Sequence, residues 1–205
     1  MDKYDIKKAL KPLYNAPAGR FVQVDIPAMR YLMIDGAGDP NTSPDYAAAV
    51  EALYTASYTL KFKSKAELGR DYVVPPLEGL WWAEDLSDFV ARRKDRWLWT
   101  MMIAVPEFVP VTAAKQAIAQ AIEKKGLPAL SQLRLEVLEE GLVVQTLHVG
   151  AYDDEGPTLR RLHEEVLPAQ GLVPTGHHHE VYLSDPRKTV AERLKTVLRQ
   201  PVRVG

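Results

Sequence analysis

The sequence predicts an α+β fold assembled from two repeats of a hairpin, a helix and two strands, with a ligand cleft between them. Three observations carry that expectation. The order hairpin, helix, two strands occurs twice along the chain. Each helical stretch follows a hairpin, which suggests sheets covered by a helix on one face. Finally, the turn Gly36-Ala37 aligns with Gly150-Ala151, and the strand beginning at Glu78 aligns with the one beginning at Glu180. Those separations are 114 and 102 residues, and the difference falls in the longer loop after the first helix. The repeats span about residues 20–105 and 132–204 of a single domain covering 1–205.

Arg20–Ile26 and Arg30–Gly36 are β-rich runs split by Pro27 and read as a hairpin. In the turn GAGDPNTSP, Ser43 or Thr42 is placed to cap a helix, with Pro44 suited to its first position. From Asp45 to Phe62, Val50, Leu53, Tyr54, Ser57, Tyr58 and Lys61 recur at helical spacing. Leu77–Ala83 and Trp97–Val105 are strands, and the polar stretch Leu86–Arg96 between them is a short helix or a loop. In the second half, Leu133–Glu139 and Leu142–Val149 flank Glu140-Gly141 as another hairpin. Pro157–Gln170 is a helix with an apolar stripe of Leu159, Leu162, Val166 and Leu167. His178–Ser184 is a strand, Thr189–Val197 a short helix, and Gln200–Val204 an edge strand.

Composition narrows the function classes. Apolar residues make up 46% and charged residues 26%, as in ordinary globular proteins, and the net charge of −1 gives no reason to expect a nucleic-acid partner. The absence of cysteine excludes disulfides, thiolate nucleophiles and Cys-based zinc sites, and is compatible with a reducing compartment. The mixed-charge N-terminus lacks a signal-peptide core, and the longest apolar run, Trp97–Val105, is far short of the roughly 18 residues of a membrane helix. A cytoplasmic protein with no membrane partner is expected.

Strand periodicity then selects candidates. Glu180 and Tyr182 share a face with His178, while Glu78, Leu80 and Trp82 share one in the first half, as do Trp97, Trp99, Met101 and Ile103. A carboxylate among rings serves as a general acid or base, or when ionised attracts a cationic ligand over the ring faces; both uses stay open. For any single tryptophan core packing is the default, and for Glu180 a solvent-facing strand position is the plain alternative. The three histidines 177–179 alternate between faces, so only His177 and His179 are placed to share an ion, and no HExxH spacing is present. His148 and His163 read as core or surface residues. There is no G-x-S-x-G elbow, and GAGDPN lacks the G-K-[ST] of a phosphate loop. No metal or organic cofactor is expected.

The blocks GAGDPN (36–41), ALYTASYTLKF (52–62), PLEGLWW (76–82), WLWTMMI (97–103), EEGLVVQTLHVGAYDDE (139–155) and HHEVYLSDPRKT (178–189) together resemble the GyrI-like small-molecule-binding family. The resemblance covers nearly the whole chain. It implies a fold of two pseudo-symmetric β-α-β-β units with a ligand cleft between them, shared with effector domains of multidrug-responsive activators. Some relatives bind lipophilic, often cationic, compounds through a buried Glu and aromatic rings. A namesake binds DNA gyrase. Stand-alone members include hydrolases that open the cyclopropane ring of DNA-alkylating natural products. This chain leaves no room for a helix-turn-helix domain, so direct transcriptional control is not expected. Carried over, the hydrolase reading makes Glu180 the general base that orients water, with Tyr182 or Tyr152 donating to the developing phenolate. Trp82 and Trp99 would sandwich a flat aromatic substrate, and Glu78 would assist as the symmetry mate of Glu180. Tyr58 and His148 complete the expected ligand-binding set. The partner expected is a lipophilic aromatic or cationic small molecule, bound either catalytically or as a sequestering module.

Overall fold

Pro27 and Ala28, two residues between two strands, decide the topology of the chain. In the computed structural model, which describes residues 3–85 and 93–205, β1 (Val22–Ile26) and β2 (Met29–Ala37) form as the sequence predicts but do not pair with each other. β1 pairs antiparallel with β6 (Gly141–Val149), and β2 with β5 (Arg134–Leu138). Both expected hairpins are therefore replaced by exchanged strands. For the first of them the reason is local: a two-residue hairpin turn needs positive φ, which Pro27 cannot adopt.

Two compact units result, one from Met1–Ala9 and Met29–Leu138, the other from Leu10–Ala28 and Glu139–Gly205. In the first, the strands run β5-β2-β4-β3, with β3 at Leu77–Trp82 and β4 at Leu98–Val105. Two short helices, α1 (Ile6–Ala9) and α2 (Lys11–Tyr14), precede β1. The main helix, α3, spans Pro44–Glu67; Ser43 accepts a hydrogen bond from the Tyr46 amide and Pro44 starts the first turn. Its buried stripe is Ala49, Ala52, Leu53, Ala56, Ser57, Leu60 and Ser64. Small residues let the helix lie close to the sheet, and the stripe is rotated away from the larger side chains that the sequence suggested.

The stretch between β4 and β5, unassigned above, forms α4 (Val111–Lys125), whose buried positions are Ala113, Ala114, Ala117 and Ala121. It ends on Gly126 at φ 60°, a left-handed position that glycine adopts freely. Of the expected helix or loop at Leu86–Arg96, residues 86–92 lie outside the described residues, and Lys94–Arg96 form a 3-10 turn.

In the second unit the strands run β1-β6-β9-β8, with β8 at His178–Tyr182 and β9 at Lys195–Val204; β7 (Leu172–Pro174) also pairs with β9. The helix expected at Thr189–Val197 is only a 3-10 turn at Ala191–Arg193, and the expected edge strand is a ten-residue strand held on both sides by β6 and β8. The β-rich run TVLRQPVRV overrides the helical leaning of AERLK. The covering helix runs from α5 (Gly156–Arg161) through a π-helical turn at Leu162–Val166 to α6 (Leu167–Ala169). Leu162 and Leu167 seat it on Val144, Leu172 and Val202, with Phe21, Leu142 and Val166 around them. Among the described residues no helix is long and apolar enough to cross a membrane.

Candidate functional site

β8 presents alternate residues to opposite faces of its sheet, and the three histidines are sorted accordingly. His177 is exposed; His178 and His179 are buried on opposite sides. The face carrying His178, Glu180 and Tyr182 also carries Thr196 and Leu198 of β9 and Val144, Thr146 and His148 of β6. It is the helix-covered face, because Val144 packs under Leu162 and Leu167.

On that face the Tyr182 hydroxyl donates to Glu180 Oε2 at 2.7 Å, and His178 Nε2 lies 3.4 Å from Glu180 Oε1. The Glu180 side chain keeps 13% of its surface exposed, against 4% for His178. Tyr152, in a 3-10 turn at Tyr152–Asp154, sets its ring edge-on to Tyr182 with centroids 5.6 Å apart. His148 Nε2 is 3.0 Å from the Ala151 carbonyl and so ties down the turn that carries Tyr152. Glu180, Tyr182, Tyr152 and His148 are thus gathered in one place. The sequence names all four without showing that His148 acts on the turn. In the π-turn, burial lowers the pKa of His163 and the nearby His178 adds to it, which favours the neutral ring.

The opposite face of the same sheet is used differently. His179 Nδ1 is 2.9 Å from Glu140 Oε1, and Arg199 donates to Glu140 Oε2 at 3.2 Å, to Gln145 Oε1 at 3.2 Å and to the Leu13 carbonyl at 2.7 Å. Gln145 in turn donates to the Pro12 carbonyl at 2.8 Å, so this buried network pins the segment containing α2 to the sheet. Burial pushes the Glu140 carboxyl up, but His179 and Arg199 outweigh it and hold the group at about 2. With Glu140 and Arg199 already engaging it, His179 is a structural residue rather than a partner for His177.

In the first unit the β3–β4 register pairs Trp81 with Trp99, Gly79 with Met101, Glu78 with Met102 and Trp82 with Leu98. Directly paired residues project to the same face, so Trp99 lies on the face opposite Glu78 and Trp82. The expected sandwich of Trp82 and Trp99 is therefore corrected: one flat ligand cannot lie between them. Trp99 is 1% exposed, stands edge-on to Tyr46 of α3 at 5.4 Å, and lies over Gly36, where a Cβ would come within 2.0 Å of its ring. It is a core residue under α3, packed beside Trp81, whose ring is 6.1 Å from that of Tyr46. Glu78, fully buried, faces the other way and accepts from the Tyr31 hydroxyl at 3.4 Å. Tyr58 is 47% exposed on the outer side of α3, stacked between Tyr54 and Phe62 at 6.5 and 6.4 Å, away from the sheet face that carries Glu78.

Register also corrects the internal symmetry. The Gly38 amide donates to the Trp97 carbonyl and the Gly150 amide to the Leu194 carbonyl, which makes these positions equivalent. Counting along the paired strands, Trp99 corresponds to Thr196, Trp81 to Tyr182 and Gly79 to Glu180. The counterpart of Glu78 is His179, and the two acids are not symmetry mates. The alignment of the strands is right to within one residue, and in a strand one residue reverses the face.

A part-exposed carboxylate held by a hydroxyl beside two tyrosine rings, on a helix-backed antiparallel sheet, is the candidate site of this α+β protein. The chain belongs to the GyrI-like small molecule binding domain family, whose model matches residues 21–203. It is similar to an uncharacterized conserved protein from Listeria innocua, at 41% identity and a TM-score of 0.86, with 98% of this chain and 100% of that one covered. A hydrolase from Listeria innocua is 38% identical with a TM-score of 0.84 over the same shares. The C-terminal domain of EcmrR, 14% identical with a TM-score of 0.57 over 91% of this chain and 98% of that one, shares the fold alone. No curated protein matches the chain.

Proposed function

We propose that this protein binds lipophilic planar aromatic compounds against the Glu180 face of its second unit and hydrolyses the cyclopropane ring of DNA-alkylating toxins, a detoxifying reaction in the cytoplasm. The observation that carries this reading is Glu180 itself: a carboxylate with residual exposure, one oxygen tied to Tyr182 and two tyrosine rings alongside. The relatives described as hydrolases, at 38% and 39% identity, support the hydrolytic class.

The chemistry needs one base and one acid. Water attacks the strained methylene carbon, the carbon–carbon bond of the three-membered ring breaks, and its electron pair passes through the conjugated system to the carbonyl oxygen. Glu180 accepts the proton released by the water. The resulting phenolate takes a proton from a tyrosine. Because the Tyr182 hydroxyl proton is engaged by Glu180, Tyr152 is the acid we assign, and Tyr182 acts by holding the base. Return of the proton from Glu180 to the Tyr152 phenolate restores both groups, so the net reaction adds one water and needs no cofactor.

A second reading rests on the same carboxylate. Ionised beside the rings of Tyr152 and Tyr182, Glu180 is suited to retain a planar cation without reaction, as a sequestering module. Incubation of the pure protein with a cyclopropapyrroloindole compound, following ring opening by absorbance, separates the two. Turnover by the wild type that is lost in Glu180→Gln while binding persists supports the hydrolase. Tight binding with no ring-opened product from either protein removes it.

A further inference from the structure

We propose that His178 is a positioning residue for Glu180: it fixes Oε1 while the Tyr182 hydroxyl fixes Oε2, so that the carboxylate presents one constant edge to the site. The chemical use of that edge rests on the hydrolytic reading above; the geometry does not.

A glutamate side chain has three rotatable bonds, and the last of them is broad and only two-fold. One hydrogen bond leaves the carboxylate free to swing about it. Tyr182 anchors one oxygen at 2.7 Å, and the His178 ring approaches the other to 3.4 Å from the far side along the same strand, an ion-pair distance without hydrogen-bond alignment. His178 is itself held: its side chain is 4% exposed, and it lies on the face covered by the helix. That helix carries its one irregularity at this level, the π-turn Leu162–Val166, which includes His163. Such turns insert a residue into the helical repeat and recur at functional sites. This one is clamped on both sides by buried Leu162 and Leu167, so the distortion is built into the packing. The other titratable groups on this side are His163 of the π-turn, His148 of β6 and Tyr152 of the 3-10 turn. Orientation of this kind matters because misplacing a catalytic group by about 1 Å reduces rates by about 100-fold.

Deuterium relaxation at the Glu180 Cγ methylene reads the positioning directly in the ligand-free protein. The wild type is expected to show an order parameter above about 0.6, the boundary between ordered and flexible groups. His178→Leu should drop it well below that boundary, and His178→Gln, which keeps a polar group of similar reach, should restore part of the order. His178→Asn, too short to reach Oε1, repeats the loss in a polar background should the leucine variant fail to fold. An unchanged order parameter in a folded His178→Leu or His178→Asn protein overturns the proposal, because His178 then only packs. With the cyclopropane compound, the same variants should lower kcat by about 10- to 100-fold at constant KM. Order that responds to His178 without turnover by any form retains the positioning role and removes the hydrolytic reading.

Discussion

Replacing Glu140 by Gln removes the carboxylate that engages His179 and Arg199 inside the second unit. Two routes give the size of the effect. Holding a carboxyl at about 2 against its ordinary 4.5 corresponds to ~3 kcal/mol of folding free energy at neutral pH. Breaking a buried ion pair by removing one partner costs about 3–5 kcal/mol, because the remaining charge is stranded. Arg199 is 1% exposed and His179 fully buried, so neither is rescued by water. Since the folded-state value is depressed, the stabilisation is complete above pH 4.5 and is lost as pH falls from there towards 2. Urea unfolding at pH steps from 7 to 2.5 measures both effects. The wild type should lose stability steeply below pH 4.5, and Glu140→Gln should start ~3 kcal/mol lower and be flatter in that window. A variant within about 1 kcal/mol of wild type at pH 7, or one with the same acid slope, refutes the assignment of the network as a keystone.

Gly36→Ala should destabilise the first unit by about 2–4 kcal/mol, measured by chemical unfolding, since its Cβ would sit 2.0 Å from the Trp99 ring and Trp99 has no room to withdraw. Near-UV circular dichroism should change with it; a silent substitution would mean the ring does not lie there. Ser43→Ala removes the α3 cap and is expected to cost about 1 kcal/mol in the same assay. Burial raises the Tyr72 phenol, with Asp71 adding to it, so absorbance titration should show one tyrosine that ionises only on unfolding.

Much of the architecture is legible in local signals. Ser43, Pro44 and the apolar recurrence mark α3, and strand alternation places Tyr182 beside Glu180. What is not legible is partner choice. β1 and β5 each look like half of a hairpin, and nothing in their own residues names β6 and β2 as partners more than a hundred residues away. The forbidding turn at Pro27 is the one available signal. The helix α4 escapes because its buried stripe is alanine, which carries little hydrophobic contrast. The role of Glu78 is misread because a strand alignment correct to within one residue still inverts the face. The π-turn at Leu162–Val166 has no sequence signature in an otherwise regular helical pattern.

The exchange of strands places the four-stranded sheet of the first unit as an insertion between β1 and β6 of the second. All four strands of the first unit lie on one uninterrupted run of chain, whose ends Met29 and Leu138 are paired across β2 and β5. Ile26 and Gly141, just outside that run, are likewise paired across β1 and β6. Excising Met29–Leu138 would leave Ile26 joined to Gly141 through Pro27, Ala28, Glu139 and Glu140, a length that an ordinary hairpin loop accommodates. During synthesis β1 emerges early yet has no partner until β6 arrives, so the first unit can close while the second waits. The gene therefore carries a natural seam at two places around that sheet, whereas the first unit also draws on Met1–Ala9, whose Tyr4 bridges to Tyr72.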